Sequence, residues 1–233
     1  MRETIYTDGN YLEKHPTWHE EDSNWKAAQI AKIIDRNGVD FSSYVDIGCG
    51  AGRIVHELSL KFPSAVFHGY DVSPKALELA GRFETDRIRM FHQDALWKGE
   101  HHYDVAAAID VLEHVEDYMG FLRRMRRLAD YFIFHIPLDI TVTSVLRNSF
   151  IRTRDTVGHL HYFTLSSALA ALQDTGYVVL DYFYTPVALD MVKNWEDRFL
   201  WLPRALLFNL VPDLGVRMLG GFPVLVLAKS AVS

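Results

Sequence analysis

At 233 residues the chain is long enough for one large α/β domain that buries its own core without staples. Its hydrophobic fraction of 49% is ordinary for a globular protein, and a formal charge of −6 disfavours a general nucleic-acid binder, which needs a basic face to displace counterions. The one cysteine, Cys49, excludes an internal disulfide, supplies no metal-ligand spacing and has no base beside it to make it a nucleophile. The N-terminus lacks an apolar signal core, and Arg204, Asp213 and Arg217 interrupt the most apolar region, so a soluble, cytoplasmic protein is expected.

Residues 1–24 are polar, with Tyr11, Trp18 and His19 set among acids, a pattern that either pins the segment to the domain or covers a site. Ser23 is a candidate N-cap for a helix through Trp25, Ala28, Ile30, Ala31, Ile33 and Ile34 that ends near Asn37-Gly38. Tyr44-Val45-Asp46-Ile47 then reads as a strand opening onto Gly48-Cys49-Gly50-Ala51-Gly52. A strand running through Gly-x-Gly into a helix brings bare backbone N–H groups close to a nucleotide-like ligand; the same turn can also stand empty. Arg53 occupies the third-glycine position of the dinucleotide fingerprint, which argues against a nicotinamide cofactor. The next helix, Gly52 to Phe62, carries Ile54, Leu58 and Phe62 on one face, and Ala65 to Asp71 forms a second strand. Asp71 follows Gly50 by 21 residues, the place from which an acid at the second strand's tip reaches ribose hydroxyls.

Ser73-Pro74 start another helix, Arg87 to His92 gives a third strand, and Gln93-Asp94-Ala95 follow it. Tyr103 to Ile109 is a continuous apolar run, as expected of a central parallel strand buried on both faces. It leads into Asp110-Val111-Leu112-Glu113-His114-Val115 and a helix with acids first and Arg123, Arg124, Arg126 and Arg127 last, an order that complements the helix dipole. Tyr131 to Pro137 is the fifth strand. A long loop, 138–164, carries Arg147, Arg152 and Arg154 and closes with Gly158-His159-Leu160-His161. Thr164 caps a helix that ends at Gly176. Tyr177 to Thr185 and Phe222 to Lys229 are the last two strands, separated by an apolar helical insertion from Asn194 to Val211 that packs on the sheet, walls a hydrophobic substrate, joins a second copy or rests on a membrane. The fold class is α/β, a doubly wound sheet with ligands at the carboxyl ends of its strands.

The ordered set Asp46-x-Gly48-x-Gly50-x-Gly52, Asp71, Asp94-Ala95 and Asp110 to Val115 resembles the class I S-adenosylmethionine-dependent methyltransferases, over a stretch from Trp18 to Lys229. The resemblance implies a mostly parallel seven-stranded, Rossmann-like sheet in a single domain. It divides into an N-terminal lid and helix over 1–40, a cofactor half over 41–137 and a substrate half over 138–233 with the insertion at 190–221. It further implies that Asp46, Gly48 and Gly50 serve the methionine end of the cofactor, Asp71 and Val72 the ribose, and Asp94 with Ala95 the adenine. Ile109 and Asp110 would flank the sulfonium, and Trp18 would lie in the lid. Acids suit a cationic cofactor, and S-adenosylhomocysteine would be the product.

Methyl transfer from a sulfonium requires alignment and exclusion of water, and a general base only when the acceptor is a hydroxyl or a protonated amine. His159 and His161 are the candidate bases; the pair can equally be a structural link between loop and helix. His114 is a further candidate, or a packed helix-start residue. Arg147, Arg152 and Arg154 either hold an anionic group on the acceptor or are solvated. No residue is assigned to a metal. The expected reaction is methylation of a small molecule, at oxygen rather than nitrogen, by a monomer or homodimer with neither nucleic acid nor membrane as partner. The competing readings are a nicotinamide-dependent oxidoreductase and a non-catalytic cofactor-binding scaffold.

Overall fold

The computed structural model describes residues 20–92, 101–191 and 195–231. Seven strands form one sheet: β1 (Ser43–Ile47), β2 (Val66–Asp71), β3 (Ile88–His92), β4 (Tyr103–Ile109), β5 (Ala129–Ile136), β6 (Tyr177–Tyr184) and β7 (Val224–Ser230). Their spatial order is β3-β2-β1-β4-β5-β7-β6. The first five run parallel, and β7 lies antiparallel between β5 and β6, as the resemblance implies. The order reverses between β1 and β4, so the segments leaving these two strands part to either side and open a crevice at their carboxyl ends.

Apolar residues cover both sides of the sheet, which is why β4 reads as an unbroken apolar run. On one side Phe132, Phe134, Leu122, Tyr177 and Val226 form a buried cluster; on the other Ile30, Ile34, Tyr44, Leu58, Phe67 and Ile133 do so. Burying one such side chain contributes about 1.5–3 kcal/mol.

Helix α1 (Ser23–Arg36) supplies Ile30, Ile33 and Ile34 to the second cluster. Its N-cap is Asp22, not Ser23, and no side chain caps it; it stops at Asn37, with Gly38 at φ +59°. Helix α2 (Arg53–Lys61) buries Leu58 as expected, together with Val55 and Ser59 in place of Ile54 and Phe62, both of which are only half-buried; the helix is turned by about a residue relative to the expected face. Helix α3 (Pro74–Ala80) is capped by Ser73, which accepts the Ala76 N–H. Helix α4 (Tyr118–Met125) is capped by Asp117, and Arg123, Arg124 and Arg127 at its far end are exposed, as a solvated helix end requires.

The segment 138–164, read from sequence as a loop, holds two short helices, α5 (Val142–Leu146) and α6 (Phe150–Val157). Thr141 and Ser144 cap α5 reciprocally, and Asn148 at φ 48° breaks the chain before α6. A reciprocal cap is worth about 1 kcal/mol, enough to hold a turn whose apolar periodicity is too short to signal a helix. The same device, Thr164 with Ser167, starts α7 (Leu165–Asp174) as expected.

The insertion comprises α8 (Val187–Asp190), α9 (Trp195–Leu210) and α10 (Pro212–Leu219). It packs on the domain through Phe208, which stacks on the buried Phe222, but Phe199, Leu202, Leu206 and Leu210 are exposed. Among the described residues no helix is long and apolar enough to cross a membrane.

Candidate functional site

The glycine turn after β1 is built by backbone geometry. Gly48, Gly50 and Gly52 all lie in the left-handed region, with φ of 78°, 55° and 75°. At Gly48 a Cβ would stand 2.7 Å from Val111 Cγ2, so the turn and the segment after β4 approach as closely as a missing side chain allows. Gly48→Ala combines strain and clash and is expected to destabilise by roughly 2–4 kcal/mol. Urea unfolding would measure it, and a change below about 0.5 kcal/mol would refute this packing.

Four of the turn's N–H groups are spent within the protein. Gly48 and Cys49 donate to Tyr70 O at 2.8 and 3.1 Å, Gly52 donates to Cys49 O at 3.0 Å, and Gly50 donates to Asp71 Oδ2 at 2.8 Å. Ser73 N–H holds the other Asp71 oxygen at 2.8 Å. Asp71 thus ties the tip of β2 to the turn, and burial raises its pKa despite these donors. The expectation of bare N–H groups is therefore corrected for these four, which are spent internally. Cys49 is buried within it, a small turn residue as expected.

The turn presents a carboxyl group instead. Asp46 is 2% exposed, and its Oδ1 has no hydrogen-bond partner. Burial, then the charges of Asp71 and Asp110, push its pKa up to about 8, with Lys26 opposing. An acid in this state is stabilised by any cationic group that reaches it.

Across the crevice Asp110, at φ 55°, ends β4. Its Oδ1 accepts from His135 Nδ1 at 2.5 Å and its Oδ2 from Lys26 Nζ at 2.7 Å; Lys26 also pairs with Asp22 at 3.2 Å. Burial alone would raise the Asp110 pKa, but His135 and Lys26 outweigh it and hold the carboxylate well below its usual range. Burial likewise pulls Lys26 down, and Asp110 and Asp22 more than reverse it. Asp110 is therefore neutralised from within, which weakens the expectation that its charge faces a sulfonium. Ile109 is buried beside it and Val72 is exposed beyond Asp71. Trp18, Asp94 and Ala95 lie outside the described residues.

The two sequence-selected histidines separate. His159 Nδ1 donates to Asp139 Oδ2 at 2.6 Å, and its Nε2 lies 3.9 Å from Glu113 Oε1. His161 Nε2 sits 3.0 Å from the Glu116 carbonyl, and its ring packs edgewise on Tyr118 at 4.7 Å, as a structural link would. His114 packs edge to face with His159, ring centroids 5.0 Å apart. Glu113 is 1% exposed, and burial, then Asp110, raises its pKa far above the usual value. A cleft of about 450 Å³ begins at Leu138 and Asp139 and is lined by Arg147, Arg152, Phe150 and Gly220, but not by Arg154.

Lys26, His135, Glu113 and Asp139 escaped the sequence reading. His135 had a signal, a polar residue inside an apolar strand, and Lys26 another, a cation beside the buried Ser23, Ala27 and Ile30 of α1.

A family model described as a methyltransferase domain matches residues 18–182. Trans-aconitate 2-methyltransferase of Pseudomonas paraeruginosa is 27% identical over 124 residues, 50% of this chain and 43% of that protein. Ubiquinone biosynthesis O-methyltransferase of Citrobacter koseri is 26% identical over 108 residues, 43% of this chain and 44% of that protein. The matched stretches thus span under half the length of these curated relatives. Magnesium protoporphyrin IX methyltransferase of Synechocystis, solved with S-adenosylhomocysteine (SAH) bound, shares the fold at a TM-score of 0.62 and 15% identity over 98% of both chains. With the sheet order, the glycine turn and the acids around it, the match over residues 18–182 establishes that the chain belongs to the methyltransferase-domain family.

Proposed function

We propose that the chain transfers a methyl group from S-adenosylmethionine to an oxygen atom of a small-molecule acceptor. The observation that carries the cofactor assignment is Asp46, a buried acid with an unpartnered oxygen in β1, just ahead of the glycine turn. A cationic amino acid moiety that reaches this carboxyl group finds its counter-charge there. Asp46 would hold the methionine end beside Gly48 and Gly50. Backbone N–H groups, Gly50 and Ser73 among them, hold the Asp71 carboxyl group at the tip of β2, where it would accept from a ribose hydroxyl. Val72 would line the ribose side, Ile109 and Asp110 would lie beneath the reacting centre, Asp94 and Ala95 would take the adenine, and Trp18 would close the lid. When bound, the cofactor supplies an activated methyl group on a good leaving group.

The chain's own part is alignment and proton removal. The Asp139 carboxylate fixes a proton on His159 Nδ1, which leaves the Nε2 lone pair to accept a proton from a hydroxyl. This dyad supports oxygen as the acceptor atom, and one curated relative is named an O-methyltransferase. Arg147 and Arg152 line the cleft that begins at Asp139, so an acceptor carrying a carboxylate or phosphate fits best.

Calorimetric titration with S-adenosylmethionine and S-adenosylhomocysteine tests the reading: both are expected to bind at one site per chain, and folded protein that ignores both would overturn it. Once an acceptor is in hand, Asp139→Asn should lower kcat at least about tenfold and shift its pH profile while cofactor affinity holds. An unchanged profile removes the dyad from the chemistry.

A further inference from the structure

Glu113 is buried to 1% exposure, and neither of its carboxylate oxygens accepts a hydrogen bond. A buried carboxylate without donors is costly unless something positive meets it. Two imidazoles face it, His114 Nε2 at 3.8 Å and His159 Nε2 at 3.9 Å, both from Oε1. Those separations are too long for hydrogen bonds. They match the spacing of two ligands on one ion, since metal–ligand bonds of about 2.0–2.2 Å put neighbouring ligand atoms roughly 3–4 Å apart.

The outer contacts point the same way. His159 Nδ1 donates to Asp139 Oδ2 at 2.6 Å and His114 Nδ1 lies 3.3 Å from the Gly158 carbonyl, so each ring carries its proton on Nδ1 and directs its Nε2 lone pair to the Glu113 side. The backbone locks the parts together, because Glu113 O accepts both Leu160 N–H at 2.7 Å and His161 N–H at 3.1 Å. One ligand atom from each of Glu113, His114 and His159 lies within 4.8 Å of the other two. The carboxylate is sealed, while the imidazole side chains are 18% and 13% exposed, which leaves an approach from solvent.

We propose that Glu113 Oε1, His114 Nε2 and His159 Nε2 form a binding site for one divalent first-row transition cation of the Zn²⁺ class, with an open coordination position. Two imidazoles and one carboxylate suit such an ion better than Mg²⁺, which prefers oxygen ligands and retains its water. Three protein ligands with a fourth position open is the arrangement of a reactive site, not of a structural one. A consequence rests on the oxygen-methylation reading above: with the ion present, His159 Nε2 is a ligand, and the ion takes over the acidification of the acceptor hydroxyl. Ion binding itself is independent of that reading.

Tag-free full-length protein, stripped with a chelator and dialysed, should be titrated with Zn²⁺ by calorimetry and with Co²⁺ by visible absorption. One equivalent is expected to bind with the absorption of low-coordinate cobalt, and Mg²⁺ should not displace it. Glu113→Gln and His159→Gln, each checked for native circular dichroism, should weaken Zn²⁺ by more than the roughly 10–100-fold that loss of an outer partner costs. His159→Gln lies at the more open edge and serves if Glu113→Gln fails to fold. Absence of binding to the wild type, or stoichiometric binding retained by a folded variant, overturns the site. Cofactor titration of the same samples separates the two proposals: cofactor binding without Zn²⁺ binding defeats this one alone, and the converse defeats the functional assignment alone.

Discussion

Asp46→Asn is expected to weaken S-adenosylmethionine binding by about 10–150-fold at pH 7, the 1.5–3 kcal/mol of a hydrogen bond to a charged group, while making the ligand-free protein more stable. The two effects share one cause. In the folded chain the Asp46 carboxyl is pushed up to about 8 from 3.8, chiefly by burial. A folded-state pKa above the unfolded one gives a contribution that is complete below the unfolded value and is lost as pH rises through the folded value. The wild type should therefore lose stability between about pH 4 and pH 8, and the asparagine variant, which cannot ionise, should not. Differential scanning of both proteins across that range would show the variant's Tm advantage growing with pH and levelling off above about 8. A variant that melts lower than the wild type at pH 8, or binds cofactor equally well, would contradict the role given to Asp46.

The second large effect belongs to Lys26. Lys26→Met removes the cation that spans Asp22 and Asp110 and leaves the Asp110 carboxylate to His135 alone. Breaking a fully buried pair from one side costs about 3–5 kcal/mol; the partial exposure of both side chains, 14% and 28%, reduces this to about 2–3 kcal/mol, or roughly 5–10 °C in Tm. The pH window follows from the two directions of shift. The Asp110 pKa is depressed, so its contribution is present above the ordinary 3.8 and lost as pH falls below it. The Lys26 pKa is raised, so its contribution is present below the ordinary 10.5 and lost as pH rises above it. The gap in Tm between wild type and variant should be flat from about pH 5 to pH 9 and close at both ends. A gap that widens towards acid would place the stabilisation elsewhere.

How far the sequence revealed this site depends on the range of the contacts involved. The β4 run from Tyr103 to Ile109 and the turn at Gly48 to Gly52 are local patterns, and both form where the residues predict. The function of the neighbouring acids is not local. Asp71 and Asp110 look alike in the chain, each an acid at a strand tip, yet one is fastened by backbone N–H groups and the other by side chains from α1 and β5. No pattern within a strand shows that a lysine from α1 will neutralise Asp110 and leave Asp46 with a buried oxygen that accepts no hydrogen bond. His159 and His161 illustrate the same limit at shorter range. Two residues apart in a non-helical stretch, one reaches Asp139 and the other Glu116, and only the fold tells them apart. The helices α5 and α6 escape the sequence for a different reason: α5 rests on its Thr141–Ser144 cap and α6 ends at the left-handed Gly158, and so few residues leave little periodicity.

The buried thiol of Cys49 makes the glycine turn readable in solution. It is the chain's single cysteine, so a small thiol reagent labels one position, and it can do so only when the turn opens. The labelling rate under native conditions then reports the local opening free energy of this turn, apart from unfolding of the whole chain. Ligands that seat against Asp46 should slow labelling in proportion to their occupancy, which offers a way to rank cofactors and analogues before any acceptor is known.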